Sequence, residues 1–173
     1  MTCCVAWLPL LLCSAAAPPS APDAKVRQLV KGKVEELHQA LVKQEYAKVA
    51  DLTHPKVIEE HGGRQKMIAT VKATMQQLNE SGFTFRVVKV ELPTAFARAG
   101  NDTSVIAPLT LEATGLGFKV TQKTFLVGVS SDQGKTWTFI NGDLGEAAVR
   151  KLLPDLPKKL TLPKTEKVVE KGR

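Results

Sequence analysis

The sequence predicts an α+β domain: a strongly curved antiparallel sheet wrapped over three N-terminal helices. Three observations carry that expectation. Apolar residues recur at three- and four-residue steps through the first half of the chain, then at two-residue steps from Phe83 onward. Turn residues divide the second half into consecutive short strands, the mark of an antiparallel meander. Helices and strands are segregated along the chain instead of alternating, which separates α+β from a parallel α/β sheet.

With 173 residues the chain can build one sizeable core. Its opening segment, MTCCVAWLPLLLCSAAAPPSAP, has an apolar stretch from Val5 to Leu12 followed by small residues. Residues 1–17 read as a secretory signal with Ser14-Ala15-Ala16 as the small-x-small cleavage site, so the protein is expected to be exported, secreted or periplasmic. No Lys or Arg precedes the apolar run, which runs against that reading. LLLC also resembles a lipobox, making a lipid anchor at Cys13 the alternative. The residue before a lipidated cysteine is normally small, and Leu12 is not, so export without an anchor is preferred. Cys3, Cys4 and Cys13 all fall in this segment, leaving the mature chain without a disulfide or a thiol nucleophile. No later run is apolar and long enough for a transmembrane segment.

Residues 18–24 read as a linker and 25–155 as the folded domain. Val26, Leu29, Val30, Val34, Leu37 and Leu41 mark the first helix. Gly32 inside it costs about 1 kcal/mol relative to alanine. EYAKVADL, with Tyr46, Val49 and Leu52 on one side, is a shorter helix that Pro55 ends, because a residue before proline avoids helical angles. KVIEEHGG reads as a short extended passage. The third helix runs from about Arg64 to Leu78, with Met67, Ile68, Val71, Met75 and Leu78 inward and Gly82 just beyond its end.

FTFRVVKVEL alternates through Phe83, Phe85 and Val87, then slips phase to Val88, Val90 and Leu92, which predicts a β-bulge and a bent strand. TAFARA continues it past Pro93. TSVIAPLTLEA places Val105, Leu109, Leu111 and Ala113 on one face, and Pro108 demands an edge position or a second bulge. GLG turns into FKVTQKTFLVGV, and SSDQG turns into TWTFI. GEAAVRKLL forms a short helix stopped by Pro154. The expected inner face is Phe83, Phe85, Leu109, Leu111, Phe125, Val127, Trp137 and Phe139, and these residues are expected to line an apolar pocket.

SSDQGKTW (130–137) fits S-x-D-x-G-x-T-W, the Asp-box of sialidase-type propellers. A propeller needs about four or more blades of about 40 residues each, and this motif occurs once. A local account suffices: Asp132 accepts loop amides, Gly134 supplies a positive φ, and Trp137 packs the returning strand. The stretch is a hairpin.

The net charge of +7 is uneven, since residues 157–173 contribute +4 of it. That segment has no aromatics and no arginine cluster, so nucleic-acid binding is not expected. Residues 156–173 read as a basic, partly disordered tail, with docking on an anionic cell-envelope surface as the alternative role.

EYAKVADLTHPKVIEEHGGRQKMIATV resembles the front half of the nuclear transport factor 2-like superfamily, which includes SnoaL-like domains. Gly62, Gly63 and Arg64 match the step at which the family opens its next helix, and the meander from Phe83 to Ile140 matches the remainder. The likeness spans about residues 25–142. It implies a cone-shaped, cystatin-like roll with a pocket at its open end. Members include isomerases, dehydratases, epoxide hydrolases and non-catalytic binding or dimerising domains, so the fold leaves activity open.

Catalytic members place ionisable groups inside the cone, where burial shifts their pKa toward the working pH. The candidates here are Tyr46, Asp51 and His54, the last two close enough in sequence to pair. The expected inner face is nearly free of ionisable residues, and the His54–His61 spacing fits no zinc site. The chain is therefore expected to be a non-catalytic domain without cofactor or metal. It would bind a small hydrophobic ligand or form a homodimer through the sheet. A small-molecule isomerase, dehydratase or hydrolase using Tyr46, Asp51 and His54 is the rival.

Overall fold

Five helices and six strands make up residues 21–99 and 101–171, the part of the chain that the computed structural model describes. The expected signal segment 1–17 and the anchor at Cys13 lie outside these residues. So does the first part of the expected linker, whose last residues, 21–24, belong to the first helix.

Helix α1 spans Ala21–Val42 and buries Val30, Val34 and Ala40. It packs against the strands that follow as β1 and β3. Helix α2 (Tyr46–Asp51) buries Val49 and Ala50. The passage read as extended is instead a third helix, α3 (Pro55–Glu60), so four helices precede the sheet. The cause is local. Pro55 stops α2, yet its fixed φ also suits the first position of a new helix. His54, extended at ψ 135°, caps that helix by accepting the Lys56 amide on its side chain. Helix α4 runs over Arg64–Glu80 and buries Met67, while Ile68, Val71, Met75 and Leu78 are half-buried.

The strands are β1 (Thr84–Val90), β2 (Ala95–Ala99), β3 (Asp102–Gly115), β4 (Phe118–Ser130), β5 (Thr138–Asn141) and β6 (Glu166–Lys171). They form one antiparallel sheet that curls into a half-barrel. Its spine is the β3–β4 ribbon. β1 and β2 lie in succession along the outer edge of β3, and β5 and β6 along that of β4. The β1–β3 register shifts between Val87 and Lys89, where the phase of the apolar alternation slips.

Pro108 sits inside the interior strand β3, paired with Phe125, and the break between β1 and β2 explains how. Its carbonyl accepts the amide of Glu91, beyond the end of β1, and the next bond on that edge is Thr94 to Ile106. In an antiparallel strand a residue's N–H and C=O point to the same side. The missing N–H of Pro108 therefore faces the break, where no ladder bond needs it. The proline occupies a local edge.

The sheet is buried on both faces at the base of this ribbon. On one face Val105, Ala107, Leu109, Leu126, Trp137 and Phe139 pack with Val30 and Val34 of α1. On the other Ile106, Phe125, Val127 and Ile140 pack with Val149, Leu152, Leu153, Leu156, Leu160 and Leu162. Leu109 pairs with Thr124, which sends Phe125 and Val127 to the face opposite Leu109. The expected single inner face is thus split between two cores. Helix α5 (Glu146–Leu152) follows β5 through a short 3-10 turn at Gly142–Leu144.

Of the stretch read as a basic, partly disordered tail, residues 156–171 have a defined place in the fold. Leu156, Leu160 and Leu162 are core residues, and Glu166–Lys171 is strand β6. Burial of three leucines holds the first half. Cross-strand pairs place the second, with Glu170 opposite Lys119 and Glu166 opposite Lys123. Among the described residues no helix is long and apolar enough to cross a membrane.

Candidate binding cleft

A cleft of about 530 Å3 opens between the second face of the sheet and the chain that leaves α5. The sheet supplies its floor in register. Ser104 on β3 pairs with Val129 on β4, and Val129 pairs with Thr138 on β5. Thr53 makes a parallel bridge to Phe139, and the His54 amide donates to the Phe139 carbonyl at 3.0 Å. Because successive residues alternate sides, His54 falls on the same face as Thr138. A row Ser104–Val129–Thr138 therefore crosses the sheet, with His54 on the same face beside Ile140. Pro55 and Lys56 line the cleft beside His54, Asp102 and Ser131 come from the shared end of β3 and β4, Thr136 from the hairpin loop, and 153–157 (LPDLP) from the segment that covers the sheet.

His54 faces this cleft half-buried. Its Nδ1 accepts the Lys56 amide at 3.3 Å, so in the neutral ring the proton sits on Nε2. Burial lowers its pKa below the ordinary histidine value, and the Lys56 ammonium adds to that, against the opposing pull of Glu59 and Asp102. The ring is a neutral hydrogen-bond donor at pH 7.

The hairpin loop beside the cleft uses its polar groups differently. Asp132 accepts from Ser130 Oγ (2.7 Å), from the Lys135 amide (3.0 Å), and from the amide and hydroxyl of Thr136 (2.9 and 2.7 Å). The Gly134 amide donates to Ser130 Oγ at 2.8 Å, and Trp137 Nε1 donates to the Gly134 carbonyl at 3.0 Å. Gly134 takes φ +90°, as a tight turn of this kind requires. The Thr136 amide and hydroxyl hold the Asp132 carboxyl well below the usual carboxylate range. The motif's Ser130, Asp132, Gly134, Thr136 and Trp137 are all committed to closing the turn.

Among the described residues, the side chains of Lys56, Asp102, Ser104, Ser131, Thr138 and Asp155 make no hydrogen bond or ion pair within the chain. Six unpaired polar side chains thus converge on one cleft beside apolar surface from Val129, Leu153 and Leu156. Small-molecule sites have this make-up, a few placed polar groups in an apolar wall, at volumes of about 300–1,000 Å3.

Tyr46, Asp51 and His54 do not come together. Tyr46 opens α2 half-buried and lines neither of the clefts described. Asp51 is exposed and held by Arg64 at 2.7 Å, whose guanidinium also donates to the Ala47 carbonyl at 3.1 Å. The expected Asp51–His54 pair is replaced by this tie between α2 and α4. Of the three, His54 alone reaches the cleft. Phe83, Phe85, Leu109, Leu111, Phe125, Trp137 and Phe139 line neither cleft. Leu109, Phe125, Trp137 and Phe139 are solid core, Leu111 packs on its margin, and Phe83 and Phe85 are half-buried.

A shallower cleft of about 340 Å3 lies between α1 and β1, lined by His38, Val42, Lys43, Arg86, Lys89 and Val90 among others. Much of its charge is spent. Arg86 is bound to the buried Glu112, and Lys89 pairs with Glu91 at 2.9 Å. His38 Nδ1 donates to the Val34 carbonyl at 2.8 Å, and burial lowers the ring's pKa.

Sequence reasoning missed Asp102, Ser104, Thr138 and Asp155 as cleft residues. The available signal was the unbroken run Phe125-Leu126-Val127-Gly128-Val129, which reads as a strand buried on both faces. Such a strand needs a cover on its second face, and LLPDLPKKLTL supplies the leucines for one. Comparison with protein-family models, curated proteins and solved structures gave no match.

Proposed function

We propose that this chain is an exported, non-catalytic binding domain of nuclear transport factor 2-like type, its curled sheet wrapped over the N-terminal helices. Its ligand is a small molecule held in the cleft between the sheet and residues 153–157. The convergence of six unpaired polar side chains on that cleft carries the reading. Ser104 is buried and Thr138 half-buried, while Lys56, Asp102, Ser131 and Asp155 are open to solvent, and together they offer a partner from solution both donors and acceptors. The site therefore lies on the second face of the sheet, since the face expected to hold a hydrophobic ligand is filled by Leu109, Trp137, Phe139 and α1.

The non-catalytic part rests on His54. A general base needs a lone pair aimed at the reacting proton. The Nδ1 lone pair is occupied by the Lys56 amide, and Asp51 and Tyr46 are elsewhere. The test is a fragment titration followed by amide and side-chain NMR shifts. Perturbations centred on Ser104, Thr138 and His54 are expected. A map centred on the α1–β1 cleft would reject the assignment.

Homodimerisation is a second reading, favoured by the exposed side chains of Leu116, Phe118 and Val169 at the far end of the β3–β4 ribbon. It would use the sheet's face, because β6 is guarded against pairing with its own copy. In a two-fold antiparallel pair one residue faces itself. Centred on Val168, Glu166 meets Glu170; centred on Val169, Lys167 meets Lys171. Both registers oppose like charges. A sedimentation mass near twice the monomer's is expected on this reading, and a monomer at high concentration would exclude it.

A further inference from the structure

The lining of the cleft carries charge of both signs, and we infer that its ligand is a zwitterion of the amino-acid or short-peptide class, with a free ammonium and a free carboxylate. This rests on the reading of the cleft as a small-molecule site. Lys56 brings a cation to the lining, and His54, its Nδ1 taken by the Lys56 amide, has Nε2–H left as a donor. Asp102 on the sheet side and Asp155 on the covering segment are carboxylates that make no ion pair among the described residues. A simple anion would leave both carboxylates unanswered, and a simple cation would meet Lys56. A molecule with charge of both signs answers Lys56 and the two aspartates together.

The remaining lining fits the same class. Ser104, Ser131 and Thr138 offer hydroxyls that donate or accept, as a peptide's N–H and C=O groups require. Val129, Leu153, Leu156 and the three prolines 55, 154 and 157 offer apolar surface for side chains. The prolines bring no amide of their own to compete for the ligand's carbonyls. Lys56 and Asp102 both lie within electrostatic reach of His54, so the two signs act across one space.

The experiment is calorimetric titration of the intact protein with trialanine, N-acetyl-trialanine and trialanine amide, with a neutral diol of similar size as control. Trialanine is expected to bind best. Blocking either terminus should weaken it about fivefold or more, the scale of one solvent-exposed ion pair. Lys56→Ala should erase the preference over the amide, and Asp102→Asn with Asp155→Asn the preference over the acetylated form. Equal affinity for blocked and free peptides, or tighter binding of the diol, overturns the zwitterion while leaving the cleft a binding site. NMR shifts induced by none of the four probes at Ser104 or Thr138 would overturn both.

Discussion

The loop at 130–137 and the cleft it borders are built from the same residue types, Ser, Thr and Asp, and use them in opposite ways. In the loop the turn-closing groups are paired within the chain: Asp132 closes on Ser130, Lys135 and Thr136, and Ser130 on Gly134, while Ser131 lines the cleft. Nearby, the buried Ser104, the half-buried Thr138 and the exposed Asp102 and Asp155 line the cleft without side-chain partners among the described residues. The difference teaches where the fold ends and the site begins. Groups already paired stabilise the turn, and groups left unpaired are available to something else.

The contrast is sharpened most by Asp132→Ala, which strips the loop of its common acceptor and leaves several amides and hydroxyls unsatisfied. Its melting temperature should fall by several degrees, more than for any single cleft variant, as read by circular dichroism. The same carboxylate gives a pH signature. Because Asp132 stays ionised in the fold at a pH where the unfolded chain protonates, the unfolded state binds more protons as pH drops. Stability should therefore decline from the ordinary carboxylate range downward, and Asp132→Asn should flatten that decline.

Trp137→Phe is the next in size. It keeps most of the buried ring but removes the Nε1–H bond to the Gly134 carbonyl. A loss of about 1–2 kcal/mol in urea denaturation is expected. His54 gives a smaller and distinct effect. With its folded pKa lowered, the unfolded chain protonates first, so stability should fall as pH drops below about 6.5 and level off beneath the folded value. His54→Gln should remove that step, measured as the difference between denaturation midpoints on either side of it. The smallest changes belong to Ser104→Ala and Asp155→Asn, each expected within about 0.5 kcal/mol of the parent. If either cost as much as Trp137→Phe, the separation between loop and cleft would fail.

Much of the fold could be read from periodicity and turn residues. The slip at Val87–Val88 marked the bend, Gly134 and Asp132 marked the hairpin, and Arg64–Leu78 showed its helical stripe because one face alone is apolar. Three features escaped for physical reasons. Pro55 both ends one helix and begins the next, and a rule about the residue before proline speaks only to the first role. Phe125 and Leu126 are adjacent and both apolar, so alternation could not say which faced α1; the pairing of Leu109 with Thr124 decides it. Residues 156–173 are rich in lysine, yet Leu156, Leu160 and Leu162 are spaced among the charges and reach the core. The cleft was hidden because Ser104, Thr138 and His54 are far apart in sequence and come to one face only through strand register. Of the candidate catalytic residues His54 was placed at the site, and Asp51 was bound by Arg64, a partner thirteen residues on that spacing alone did not identify.

The most direct measurement is the urea midpoint of the triple variant Asp102→Asn, Ser104→Ala, Asp155→Asn beside that of Asp132→Ala. Polar groups that serve a ligand can be removed together with little loss of fold, so the triple variant should stay within about 1.5 kcal/mol of the parent and remain clearly more stable than Asp132→Ala. A triple variant that unfolds as readily as Asp132→Ala would show that those groups hold the domain together, and the cleft would lose its standing as a binding site.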